Sequence, residues 1–158
     1  MADQVGDSGT VRVYALTSVA VRSGVGEAGI GVILRDANRA TLKQVSTKVQ
    51  VASREAARHQ AVMWALRDGL EIGARSITVF TDDPAVVGYL NRDLEVPPEL
   101  ISTYLEARSM MNQYRRASIR LIEDERNQKA RALAERGLEG DEADVRDYRS
   151  PPLPLGLP

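Results

Sequence analysis

Residues 53–70, SREAARHQAVMWALRDGL, decide the architecture, because the apolar period of the chain changes there. Ala57, Ala61 and Ala65, together with Val62, Leu66 and Leu70, recur every three or four residues, the spacing of one helix face. Ser53 is suited to cap the first turn and Gly73 to stop the last. Upstream, the pattern is that of strands. Residues 11–17 alternate loosely, residues 28–35 carry Ile30, Val32 and Leu34 on one face, and residues 41–51 carry Val45, Val49 and Val51 with Leu42 out of step. The links between these segments are short and contain Gly or Asn, which predicts an antiparallel meander.

Downstream, Ile77, Val79 and Phe80 form a short apolar strand that ends at TDD, residues 81–83. Pro84 then opens a short helix at a position where a missing N–H costs nothing. A strand followed by a helix implies a parallel crossover. After Pro97 and Pro98 a second long helix is expected to reach about Arg116, followed by a strand with Ile119, Leu121 and Ile122. Asn127 is placed to cap a final helix through Glu135, so the element order reads βββαβααβα.

A chain of 158 residues suits one domain, expected over residues 11–138. Residues 1–10 are small and polar, which predicts a flexible N-terminus. Residues 139–158 turn acidic and then Pro-rich, a composition that predicts disorder with polyproline II character in PPLPLGLP. With no cysteine and only one histidine, disulfides, thiolate chemistry and a Cys/His zinc site are excluded. No apolar run approaches the roughly 20 residues that span a bilayer, and the start lacks signal-peptide character. The expectation is a soluble cytoplasmic protein with no membrane partner. The formal net charge of −1 gives the whole molecule no long-range pull on phosphates, so any nucleic-acid site must be a local patch.

Four segments in this order carry a resemblance: EAGIGVILRD on the second strand, SREAARHQAVMWAL on the long helix, VFTDD closing the fourth strand, and RNQKARALA on the last helix. They resemble the ribonuclease H family over nearly all of residues 11–138. The resemblance implies an α/β, ribonuclease H-like fold: a five-stranded mixed sheet in spatial order 3-2-1-4-5, with helices on both faces. It also implies a site. Family members that cut RNA in RNA–DNA hybrids use an Asp on strand one, a Glu on the long helix, an Asp ending strand four and an Asp on the last helix to hold two Mg²⁺ ions. At the matching positions this chain has Ser18, Arg58, Asp82 and Arg131, so only Asp82 retains the acid.

Mg²⁺ needs hard oxygen ligands in near-octahedral geometry, and one Asp between two guanidiniums supplies few. At an effective dielectric near 20, unit charges about 4 Å apart interact by about 4 kcal/mol, so each Arg attracts Asp82 and repels a cation. The expectation is an Arg–Asp cluster at the former metal site and a catalytically inactive domain that needs no cofactor. Such a cluster reads either as a structural salt bridge or as a phosphate-receiving pocket. Nucleic acid, either RNA–DNA hybrid or structured RNA, is the leading partner, with Arg58 and Arg131 in the pocket and Arg108, Arg115, Arg116 and Arg120 as a basic patch on the second long helix and the strand after it.

Two alternatives stand beside that reading. One is a protein-interaction scaffold or homodimer. The other is a relocated Mg²⁺- or Mn²⁺-dependent ribonuclease built from Glu55, Asp83 and the acids at 123–125, although Asp83 before Pro84 is expected to turn outward. His59 is expected to sit satisfied on the helix surface, and Trp64, Tyr104 and Tyr114 to serve packing.

Overall fold

A computed structural model describes residues 12–22 and 26–140; the segments expected to be a flexible start and a disordered tail lie outside the described residues, apart from Glu139 and Gly140. Five strands, β1 (Arg12–Arg22), β2 (Glu27–Arg35), β3 (Thr41–Gln50), β4 (Ser76–Thr81) and β5 (Arg116–Leu121), form one sheet in the order β3-β2-β1-β4-β5. The first three pair antiparallel, while β1–β4 and β4–β5 are parallel. The helices are α1 (Arg54–Glu71), α2 (Pro84–Leu90), α3 (Ile101–Met111) and α4 (Gln128–Leu138). No helix among the described residues is long and apolar enough to cross a membrane.

The alternation along each strand separates two faces. Val13 and Ala15 of β1, Ile30, Val32 and Leu34 of β2, and Ile77 and Val79 of β4 pack into the larger core with Ala57, Ala61, Val62, Ala65 and Leu66 of α1. Their in-between neighbours face α4, where Leu16, Ile33, Ile122, Ala130 and Leu133 make a smaller core. On β2 the residues facing α4 include Gly29 and Gly31. A Cβ at Gly31 would lie 2.1 Å from the Ala130 carbonyl oxygen, and one at Gly29 would lie 1.9 Å from that of Ala134. Helix and strand backbones therefore meet directly, which only glycine permits.

Polar ties fix the remaining elements. Ser53 Oγ accepts from Ala56 N–H and caps α1 as its sequence predicts. Asp83 Oδ1 accepts from Ala85 N–H to cap α2, with Pro84 in its first turn. Tyr114 OH donates to the Leu66 carbonyl, pinning the turn before β5 to α1, and burial pushes the phenol's pKa well up. Lys43 Nζ lies 2.8 Å from Asp68 Oδ1, an ion pair of 7% and 2% exposed side chains that joins β3 to α1. Nothing in the apolar pattern announces that pair.

Three expectations need correction. α3 ends at Met111, not near Arg116, because residues 112–115 form a turn held by Tyr114, so Arg115 and Arg116 leave the helix. Asn127 stands at the start of α4 but makes no side-chain cap: its Nδ2 donates to the Thr17 carbonyl of β1, and its Oδ1 accepts from no backbone N–H of the helix. His59 is not on the surface. It is fully buried, its Nδ1–H donates to the Glu55 carbonyl, its ring stacks on Tyr89 with centroids 6.1 Å apart, and its Nε2 has no partner among the described residues.

Two outcomes follow. Gly31→Ala forces α4 off the sheet and lowers stability by about 3 kcal/mol, the upper range for overpacking, measured by urea denaturation. Burial pushes the His59 pKa below 6.5 against the opposing pull of the Glu55 carbonyl and the Asp83 charge. A group neutral when folded leaves the unfolded chain to take the proton, so stability is complete above 6.5 and declines as pH falls below it toward the folded value. Urea midpoints measured at about pH 7.5 and about pH 5.5 should fall more in the parent than in His59→Phe.

Candidate functional site

β1 and β4 run parallel with Leu16 opposite Phe80, so two residues further on Ser18 and Asp82 are brought side by side. Ser18 Oγ donates to Asp82 Oδ2 across 3.5 Å. Arg58 enters from the first turns of α1, and its guanidinium Nη1 pairs with Asp82 Oδ1. Its Nε lies 3.3 Å from Asp83 Oδ2, an electrostatic contact, since Nε is not aligned for a hydrogen bond. The side chains of Arg58, Asp82 and Asp83 are only 14%, 11% and 15% exposed, so the three charges sit in a low-dielectric recess and compensate one another.

The structure thus brings Ser18, Arg58 and Asp82 together as expected, and adds Asp83. That residue does not turn outward. Its two oxygens are divided between the α2 cap and Arg58, because an Asp directly before a helix-opening proline must face the helix N-terminus. Arg131 does not join the cluster through an ion pair with Asp82: its Nη2 lies 2.9 Å from Asp124 Oδ1, in a partly exposed pair at the start of α4. Arg108 is half-buried, with Nη1 donating to the Leu90 carbonyl. Arg115 lies in the turn and Arg116 and Arg120 lie on β5, so of the four expected patch residues these three share one concavity and Arg108, on α3, stands apart from them.

What this arrangement can do chemically follows from its donors. A pair of divalent cations needs several unengaged carboxylate oxygens. Here the two aspartates face a fixed guanidinium, Asp83 Oδ1 is committed to a backbone N–H, and no group of three or more His, Cys, Asp or Glu side chains able to hold a metal ion occurs among the described residues. The residues present do not suit a two-metal centre. Removing the guanidinium leaves two adjacent, mostly buried carboxylates uncompensated, so Arg58→Ala should lose about 3 kcal/mol in urea denaturation, and Asp82→Asn less because Asp83 remains.

A family model described as reverse transcriptase-like matches residues 16–137. Among curated proteins, the bifunctional protein Rv2228c of Mycobacterium tuberculosis is 27% identical over 115 residues, covering 72% of this chain and 32% of that protein. The chain therefore spans about a third of that relative's length. Among solved structures, the N-terminal RNase H domain of rv2228c from Mycobacterium tuberculosis superposes with a TM-score of 0.76 at 25% identity, covering 81% of this chain and 99% of that one. LC11-RNase H1, solved in complex with an RNA/DNA hybrid, superposes with a TM-score of 0.74 at 21% identity over 80% of this chain and 96% of that one. With the sheet order, the parallel β1–β4 pairing and four helices on two faces, these matches establish that the chain belongs to the reverse transcriptase-like family and folds as a ribonuclease H-like domain.

Proposed function

We propose that this ribonuclease H-like domain binds nucleic acid, an RNA–DNA hybrid or structured RNA, without cleaving it. The observation that carries the reading is the Arg58 guanidinium, paired with Asp82 and in contact with Asp83, at the spot where the family resemblance places a cation between carboxylates. A fixed guanidinium offsets acidic charge where a phosphate approaches, and it does so without a metal. Arg131, 39% exposed in its side chain, stands at the start of α4 and can exchange the exposed Asp124 for a phosphate oxygen. Support for the partner class comes from LC11-RNase H1, whose structure holds a hybrid.

A protein-interaction reading is favoured by a different observation. Ile101 and Leu105 lie one turn apart on α3 and are 43% and 57% exposed, an apolar pair on a helix surface. It predicts a concentration-dependent oligomer and no retention of nucleic acid.

Labelled RNA–DNA hybrid incubated with the purified chain at low and high salt, with and without Mn²⁺, separates these outcomes. The expected result is gel retardation that weakens steeply with salt and no product. Mn²⁺-dependent cleavage abolished by Asp82→Ala overturns the proposal, and the absence of both signals leaves the oligomer reading. In the same assay, the combined variant Ser18→Asp, Arg58→Glu, Arg131→Asp should gain Mn²⁺-dependent cleavage that the parent lacks.

A further inference from the structure

The sheet face that carries α4 is covered on only one side. α4 packs on β1, β2 and β3, and no described helix packs extensively over β4 and β5 on that face. Strand register specifies what the bare part displays. Arg12 pairs with Ser76 and Ser76 with Arg116; Tyr14 pairs with Thr78 and Thr78 with Ser118; Leu16 pairs with Phe80 and Phe80 with Arg120. All nine residues share one face, because their sequence neighbours Val13, Ala15, Ile77, Val79 and Ile119 are buried in the core on the other. The face is therefore a grid whose outer rows carry guanidiniums and whose middle row carries hydroxyls and a tyrosine ring.

Two adjoining concavities mark this grid, and Tyr14 lines both. One, of about 520 Å³, is lined by Arg12, Arg115, Arg116 and Arg120 with Ser76, Thr78 and Ser118, and by no acid. The other, of about 490 Å³, adds Arg35, Arg39 and Arg126 beside Phe80, with Asp36 as its one acid. Asp36 Oδ1 is already occupied, accepting from the Asn38 and Ala40 backbone N–H groups. Among the described residues no ion pair engages any of these seven arginines. In a chain of net charge −1, seven guanidiniums without a paired acid make this face a local positive patch.

We infer that this face is a binding site for single-stranded nucleic acid. Arg12 and Arg116 stand two strands apart, about 10 Å, and Arg120 lies further along β5, so phosphates of one strand can be met in succession. Tyr14, half-buried between the two concavities, offers its ring as a stacking surface, and the serine and threonine hydroxyls add neutral hydrogen bonds to phosphate or sugar. An open sheet face with a stacking ring and flanking arginines suits an extended strand with accessible bases, since the rings of a duplex are already stacked on one another. Arg12 lies six residues from Ser18 along β1, about 20 Å, whereas Leu16 and Phe80 of the second concavity stand two residues from Ser18 and Asp82. The Arg12–Arg116 end of the groove is thus the part distinct from the Arg58–Asp82 cluster, and it stands whether or not a hybrid is held there.

Fluorescence anisotropy of the full chain with a labelled single-stranded oligonucleotide of about 12 nucleotides tests this. The double variant Arg12→Ala, Arg116→Ala should bind at least tenfold more weakly, and the slope of log affinity against log salt should shrink by about 1.4, the share of two phosphate contacts on a single strand. Tyr14→Leu should weaken binding about tenfold with the salt slope unchanged, which separates stacking from charge. Arg92→Ala, in the turn after α2, removes one exposed guanidinium outside both concavities and, as a charge control for each single variant Arg12→Ala and Arg116→Ala, should bind as the parent does. Circular dichroism confirms folding of each variant. Single-strand binding that depends on Arg12 and Arg116 supports the groove even where the hybrid is not retained, an outcome that strikes only the preceding proposal. Unchanged affinity in the double variant, no oligonucleotide binding at all, or Arg12- and Arg116-dependent binding to phosphatidylserine vesicles in place of oligonucleotide each overturn it.

Discussion

The backbones of α4 and β2 approach so closely that only glycine fits between them, and this constraint orders the rest of the molecule. Gly29 and Gly31 set the helix down over β1, β2 and β3 instead of centrally on the sheet. The N-terminal end of α4 is thereby brought to β1, where Asn127 reaches the Thr17 carbonyl next to Ser18. The same placement leaves β4 and β5 bare on that side. One steric fact thus both ties the start of α4 to β1 beside Ser18 and leaves the arginine grid open.

Charge inside the fold is handled by pairing along α1. Near its start Arg58 compensates Asp82 and Asp83 at the end of β4, and near its end Asp68 takes Lys43 from the edge strand β3. Buried ion pairs of this kind add little net stability over apolar packing, yet losing one partner is costly because the other charge is left without water. Their effect is to fix the register of α1 against strands on both sides of β1, which an alanine-rich helix face could otherwise slide across. The recess therefore owes its geometry to charge as much as to shape.

Much of this was legible in the sequence. The alternation of Ile30, Val32 and Leu34, the helical spacing of Ala57, Ala61 and Ala65, and the turn chemistry of Ser53 and Pro84 are local signals, and local signals survive without an alignment. The adjacency of Ser18, Arg58 and Asp82 was legible too, through the register that the family resemblance implies. What escaped notice depends on partners distant in the chain. Asp83 faces Arg58 because α2 turns it inward, His59 is buried because α2 lays Tyr89 on it, and Lys43 is buried because Asp68 is there to receive it. The arginine grid was legible only in part: Arg115, Arg116 and Arg120 are close in sequence and were expected in a basic patch, whereas Arg12 joins them only through the parallel pairing of β1, β4 and β5.

The bond from Asn127 to Thr17 spans 110 positions of the chain. During synthesis the meander and α1 emerge first and can pair among themselves, while the glycine strip of β2 waits bare for the last helix to leave the ribosome. Until then Leu16 and Ile33 have no cover on that side. The nascent chain is thus a half-built sandwich with a sticky flank, and its safe completion depends on how quickly the final helix arrives and is recognised by two glycines.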